Sequence, residues 1–381
     1  MAQFEAQGGA RDVRVLPPDV AGGPPREITV LRFGTPGARP KAYLQAGLHA
    51  DEFPGMLVLR HLAAELSELA ARGAIPGEVV VVPQANPIGL AQQDHGFLQG
   101  RFDVRSGRNF NRDYPDLASL VAEGLNGRLG GDAAANVATI RTAMGQALAG
   151  IEPADQLGAL RKTLMELAYD ADITLDLHAD NEALLHLYVG TPLWPGAADL
   201  AAELDARAIL LAEVSGGHPF DEACGGPWWH LAKCFPDLPI PPACLSATVE
   251  LRSNDDVDDA AARRDAAALL RFLQRRGVVA GDPGEVPRLL CEAAPLDAMQ
   301  QVRAPAEGLI SYRARLGDRV RSGDIIADII DPLGDVTPVP ATTDGLLFAR
   351  HSQTYAWVGK VIGKVAGTRP LAERTGLLLT E

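Results

Sequence analysis

The chain has 381 residues, with 49 Asp and Glu against 35 Lys and Arg, for a formal charge of −14 at pH 7. A hydrophobic share of 47% excludes a purely disordered chain. The acidic balance, without any Lys/Arg run interleaved with aromatics, argues against nucleic acid and against anionic membranes as partners.

No stretch reaches the roughly 20 uninterrupted apolar residues of a spanning helix, and MAQFEAQGGARD lacks the basic and apolar regions of an export signal. A soluble, cytoplasmic protein is therefore expected. Cys224, Cys234, Cys244 and Cys291 carry no CxxC spacing, and free thiols in a reducing compartment are the expected state.

From Glu27 to His49 the pattern predicts two strands, EITVLRF and KAYLQAGLH, separated by the turn residues Gly34, Pro36 and Gly37. Residues 55–72 show helical spacing of Leu and Ala, ending at Gly73. EVVVVPQAN is then an apolar run of strand length, as in a sheet covered on both faces. A helix up to Tyr169, the strands DITLDLH and ALLHLYV, a helical stretch near 197–207 and AILLAEV continue the alternation. CLSATVEL and the helix DDAAARRDAAALLRFLQRRG complete it, and an α/β fold with a mostly parallel or mixed sheet follows.

Around Gly281, Pro283, Gly284 and Pro287 turn formers take over and helical periodicity ends, so a boundary is expected near residue 283, dividing the chain into 1–282 and 283–381. In the second part APAEGLI with SGDIIADI is echoed by ATTDGLL with VGKVIGKV. Gly308 and Gly345 stand 37 apart, Gly323 and Gly359 36 apart. Two such halves resemble a biotinyl or lipoyl-type barrel sandwich. The connecting DPLGDVTPVP has no lysine to carry a cofactor, which favours a structural or gating role.

In QAGLHADEFPG, His49 and Glu52 stand three apart just after a strand, where ligands bind in open α/β sheets. An imidazole and a carboxylate are both zinc ligands, and catalytic zinc needs one further protein ligand. HxxE alone equally suits a surface histidine beside a helix-starting glutamate. His178, closing DITLDLH, is the candidate third ligand, and Asp176, two residues earlier on the same strand face, can orient its ring. A hydrogen-bonded core histidine is the alternative. Glu250, a charge inside the apolar CLSATVEL, suits a proton acceptor beside a metal or an ion pair to Arg252 or a helix. Arg101, Arg105, Arg108, Asn109, Asn111 and Arg112 crowd one segment, either to hold an acidic substrate or polarise a carbonyl, or as a solvated basic loop.

His49 and Glu52, NFNRDYP, DLH at 176–178, VEL at 249–251 and the terminal β domain, in this order, resemble the succinylglutamate desuccinylase/aspartoacylase family, within the zinc carboxypeptidase-like hydrolases. The resemblance spans most of residues 40–367. It implies a carboxypeptidase-like mixed sheet flanked by helices, with a small C-terminal all-β barrel-sandwich domain. It further implies zinc on His49, Glu52 and His178, Glu250 as general base, and Asn111 with Arg112 gripping the substrate carboxylate. Arg101 takes the carbonyl-polarising role, with Arg105 or Arg108 as alternatives; Arg108 is also a candidate for substrate binding.

Three features depart from the family pattern. Ala50 replaces a glycine after the first histidine. Ala179-Asp180 follows the third ligand, and Asp180 with Glu182 is expected to place negative charge at the mouth, favouring a cationic or neutral substrate group over a doubly anionic one. DEACGGPWWH, with Trp228 and Trp229, reads either as a closing loop or as two core tryptophans.

The expected activity is zinc-dependent hydrolysis of an amide in an N-acyl amino acid or related small carboxylate. A metallocarboxypeptidase acting on short peptides and a noncatalytic binding protein are the alternatives. A small-molecule substrate is the expected partner, with homo-oligomerisation left open.

Overall fold

The computed structural model describes residues 9–18, 24–376 and 378–379. Its first layer is one mixed sheet of nine strands. In chain order these are β1 (Ala10–Leu16), β2 (Arg26–Gly34), β3 (Lys41–Ala46), β4 (Glu78–Val82), β5 (Ile173–Asp180), β7 (His186–Gly190), β8 (Ala208–Ala212), β9 (Leu245–Ser253) and β10 (Ala293–Pro295). The short β6 (Glu182–Ala183) leaves this sheet. Spatial order is β1-β2-β4-β3-β5-β9-β7-β8-β10. The central β4-β3-β5-β9 run is parallel throughout, and β9 with β7 is antiparallel.

Helices cover both faces, so the inner strands are apolar on both sides. Along β3, Leu44 packs with Val58, Leu59 and Leu62 of α1 (Pro54–Ala71), while Tyr43 turns to the opposite core. That second core contains Ile140 and Met144 of α2 (Ala133–Ala149), Leu160 and Leu164 of α3 (Gln156–Ala168), and Phe220 and Trp228 of α5 (Phe220–Cys234). The smaller α4 (Ala198–Glu203) and the amphipathic α6 (Asp259–Arg275) join α1 on the first face. Pro54 opens α1, where its missing N–H costs nothing, and Gly73 closes it at φ 67°. Asp132, Asp155 and Asp258 each cap a helix start through their carboxylates.

Residues 299–367 form two antiparallel sheets around a core of Val302, Ile326, Ile329, Leu347, Ile362 and Val365. One has the order β11 (Met299–Arg303), β18 (Val361–Gly367), β16 (Gly345–Arg350), β13 (Arg319–Val320), and β6 adds to β16. The other runs β15 (Val336–Pro340), β14 (Ile325–Ile330), β12 (Gly308–Tyr312), β17 (Tyr355–Ala356). The internal repeat is visible here. Gly308 and Gly345 each begin a strand, Gly323 and Gly359 each take a left-handed turn, and the two halves exchange their short strands: β13 pairs with β16 and β17 with β12. Because β10 pairs with β8, the large sheet extends past residue 283 to Pro295, and the small domain's own strands begin at Met299.

Candidate active site

Parallel pairing of β3 with β5 sets Ala46 beside Leu177, so the loop after β3 and the end of β5 emerge at one edge of the sheet. His49 and Glu52 occupy that loop and His178 lies two residues before the end of the neighbouring strand; all three are buried. Close packing shapes the loop: the Ala50 amide donates to the Gly100 carbonyl at 2.9 Å, and a Cβ on Gly100 would lie 2.1 Å from the Asp51 nitrogen. Ala50 is fully buried, and its backbone needs no positive φ, so the methyl is accommodated.

Nδ1 of His49 lies 2.9 Å from one Glu52 oxygen and Nδ1 of His178 lies 2.7 Å from the other. Each remote ring nitrogen meets an oxygen acceptor: Nε2 of His49 is 2.9 Å from Asn109 Oδ1, and Nε2 of His178 is 2.8 Å from Asp176 Oδ2. In the tautomers whose Nε2 protons take these acceptors, two Nδ1 lone pairs and a carboxylate converge, an arrangement that positive charge balances. A proton supplies it in part: burial works against a charged His178, but Asp176 and Glu52 outweigh it and raise its pKa well above the ordinary value. Burial, then Arg101, lowers His49 to about 4. Ligand atoms of the three residues lie within 4.8 Å of one another, and the His/His/carboxylate donor set suits a divalent metal of the zinc type.

Support continues behind the rings. Gln45 donates to the other Asp176 oxygen at 3.0 Å and accepts from the Tyr43 hydroxyl at 2.7 Å, both buried. Asn109 Oδ1 also accepts the Asn111 amide at 2.8 Å. The sequence points to Asp176, but Asn109 is grouped there only with the substrate-holding segment 101–112, and Gln45 and Tyr43 have no role in that reading. Period-two alternation along β3, which sets Tyr43 and Gln45 on one side, was the available signal.

Glu250 is the register partner of His178 on β9. Its Oε2 is buried and has no hydrogen-bond partner, and burial, then the charge of Glu52, lifts its carboxyl to about 8. Arg101 Nη1 stands 3.3 Å from both His49 Nδ1 and the Glu52 carboxylate. Of the three arginines expected to compete for this role, Arg101 alone lines the cavity over the cluster. Arg108 is drawn away to Asp155 at 3.0 Å, and Arg105 lines a separate cavity. Asn111 and Arg112 do line the site; Asn111 Oδ1 holds the Phe220 amide at 2.8 Å, tying α5 to this wall.

The cavity measures about 620 Å³ and is shared by both parts of the chain: Arg303, Trp357, Lys360 and Lys364 of the small domain line it opposite His49 and Arg112. Two expectations change here. Asp180 is ion-paired with Lys364 and Glu182 with Arg350, so neither leaves free negative charge at the mouth. Trp228 and Trp229 lie on α5, buried in the cores on either side of the sheet, because Ala, Cys and Gly residues before them continue a helix instead of a loop. The exposed aromatic at the site is Trp357, with the Lys360 ammonium 4.7 Å from its ring centre.

Residues 38–140, which include His49, Glu52, Arg101, Asn111 and Arg112, match the succinylglutamate desuccinylase/aspartoacylase catalytic domain. A succinylglutamate desuccinylase/aspartoacylase family protein of Shewanella amazonensis is 26% identical, with 94% of this chain and 98% of that one covered at a TM-score of 0.81. The chain thus resembles the succinylglutamate desuccinylase/aspartoacylase family. A second family protein, from Shewanella frigidimarina, is 24% identical over 95% of this chain and 98% of its own, at a TM-score of 0.79. The product-bound ectoine utilization protein EutE (DoeB) of Ruegeria pomeroyi shares the fold at 17% identity, 95% and 96% coverage and a TM-score of 0.67. No curated protein gives a significant sequence match. Desuccinylases and aspartoacylases, after which that family is named, are deacylating hydrolases, and it is this class that the chain resembles. Among the described residues no helix is long and apolar enough to cross a membrane, and all four cysteines are free.

Proposed function

We propose that the protein is a cytoplasmic, zinc-dependent deacylase that hydrolyses the amide bond of an N-acyl amino acid or a related small carboxylate. The supporting observation is the convergence of His49, His178 and Glu52, with the unpartnered Oε2 of Glu250, in one cavity. His49, Glu52 and His178 would hold the metal. Bound there, zinc supplies Lewis acidity, which brings the pKa of water toward roughly 7 and polarises an amide carbonyl.

The chain's own groups do the rest. Glu250, with no competing hydrogen bond on Oε2, takes the proton from the attacking water and returns it to the departing nitrogen. Arg101 is placed to donate to the oxygen that gains charge as the carbonyl is attacked. Arg112, which with Asn111 lines the cavity, receives the substrate carboxylate in bidentate fashion. Each accounts for a different part of the substrate, which must therefore carry a free acid near the scissile amide.

The two sheets of the small domain, with their exchanged short strands, are read as a barrel sandwich that has lost any carrier function, since the turn at 331–335 has no lysine. Its residues wall the cavity and restrict the mouth to small substrates. Release of free amino acid from N-acetyl, N-formyl and N-succinyl amino acids by the zinc-loaded enzyme, with no activity after chelation, is the test.

A further inference from the structure

His178 lies near the end of β5, the last strand before the chain changes sheets. After Asp180 the backbone leaves the large sheet, and β6 pairs with β16 of the small domain, Glu182 opposite Arg350 and Ala183 opposite Ala349. The Leu184 amide then donates to the Phe348 carbonyl at 2.9 Å. Side chains close the same seam. Lys364 on β18 donates to Asp180, and Arg350 grips Glu182 through two bonds of 2.7 and 3.1 Å. Arg350 is itself seated in the small domain, with its guanidinium 4.7 Å from the Tyr312 ring centre and a bond to the Ala314 carbonyl.

On the other side, Asp180 lies one residue from Ala179, whose amide donates to Glu52 at 3.1 Å. The Asn254 amide holds the Asp180 carbonyl at 2.8 Å, just past the strand that bears Glu250. Asp180 is thus a short, fully engaged link between two metal-site residues and a lysine supplied from another sheet. Lys364 and Asp180 are both largely buried, and in such surroundings an ion pair tolerates little displacement before one charge is left uncompensated.

We infer that Lys364 is a positioning residue: through Asp180 it sets the end of β5, and so couples the small domain's two sheets energetically to the site formed by His49, Glu52 and His178. This rests on the metal reading above and adds reciprocity to it. If the small domain favours the metal-binding geometry, metal binding must stabilise the small domain by the same free energy. Lys364 also lines the cavity, so the seam lies within reach of substrate, but its assigned task is to orient and not to touch reacting atoms.

Hydrogen–deuterium exchange of the full chain, with and without added Zn²⁺, tests this without any variant. The expected result is slowed exchange around His49 and His178 that continues across the seam into Gly345–Arg350 and Val361–Gly367, by at least fivefold. In Lys364→Met the protection should stop at Asp180 and Zn²⁺ affinity, by competition with a chelator dye, should fall about tenfold; Lys364→Arg should recover most of both. Should Lys364→Met not fold, Arg350→Met and the wild-type exchange data carry the same test. Protection confined to residues near His49 and His178 in the wild type, or a Lys364→Met chain that binds and responds to Zn²⁺ like wild type, overturns the coupling alone. No response to Zn²⁺ anywhere overturns the metal reading, and the coupling with it.

Discussion

Glu250 and His178 stand side by side on adjacent parallel strands, so their side chains leave the sheet on the same face. That pairing sets the proposed base beside a proposed metal ligand without help from any loop. Glu250→Gln should keep the fold and the metal while kcat falls by roughly 10² or more, the scale of a lost acid/base group. The base acts only when ionised, and burial lifts its carboxyl to about 8, so kcat/KM should rise with pH on the acid side. A bound divalent cation moves that limb below 8. The rise should be absent in Glu250→Gln, and pH profiles of both proteins check it.

The arginines of the segment 101–112 should separate by position. Arg101 reaches the cluster, so Arg101→Ala should lower kcat by about 10² to 10³, as for loss of an oxyanion donor. Arg108 is spent on Asp155 at the protein surface, and Arg108→Ala should leave kcat/KM within a few-fold of wild type. Steady-state kinetics on one N-acyl amino acid decides both.

Asp176 accepts from His178 with one oxygen and from Gln45 with the other. Asp176→Asn leaves the first ligands in place but presents the wrong polarity to one of those donors. Zn²⁺ affinity should drop by about 10- to 100-fold, measured by competitive titration.

Much of this was legible in the sequence for a physical reason. His49 and Glu52 follow an apolar strand and His178 and Glu250 lie near the carboxyl ends of two others, where an α/β sheet exposes functional groups. Asn109 was harder: it lies in an irregular loop, and its acceptor role depends on a fold that brings it to His49 across sixty residues. The charges of Asp180 and Glu182 were visible, but their partners Lys364 and Arg350 lie in a different sheet, so the sequence showed an acidic mouth where the structure has ion pairs. Trp228 and Trp229 misled through the glycines before them, which suggest a loop even though burial of the indoles carries α5 through. The division near 283 followed composition, whereas β10 follows pairing with β8.

Asp221 gives a stability prediction of its own. It is 8% exposed, and burial, then Glu222 and Asp176, lifts its carboxyl to about 7. A raised folded-state pKa means full stability below the ordinary carboxyl range near 4 and progressive loss as pH rises through about 7. Asp221→Asn never ionises, so in chelator-treated protein it should gain on wild type as pH rises and level off above about 7, by up to about 4 kcal/mol. Urea unfolding at a series of pH values reads this directly.

Zinc-dependent deacylation is tested most directly by one comparison: kcat/KM of the zinc-loaded chain on N-acyl amino acids and on peptides of four or more residues, each repeated after chelation and zinc restoration. The cavity, walled on one side by Trp357, Lys360 and Lys364, predicts hydrolysis of the small substrates at least tenfold more efficient than that of the peptides, about 1.4 kcal/mol in the transition state, lost on chelation and recovered with zinc. Equal or better cleavage of the peptides would contradict a deacylase and favour a carboxypeptidase, and hydrolysis that survives full removal of zinc would contradict the metal centre at His49, Glu52 and His178.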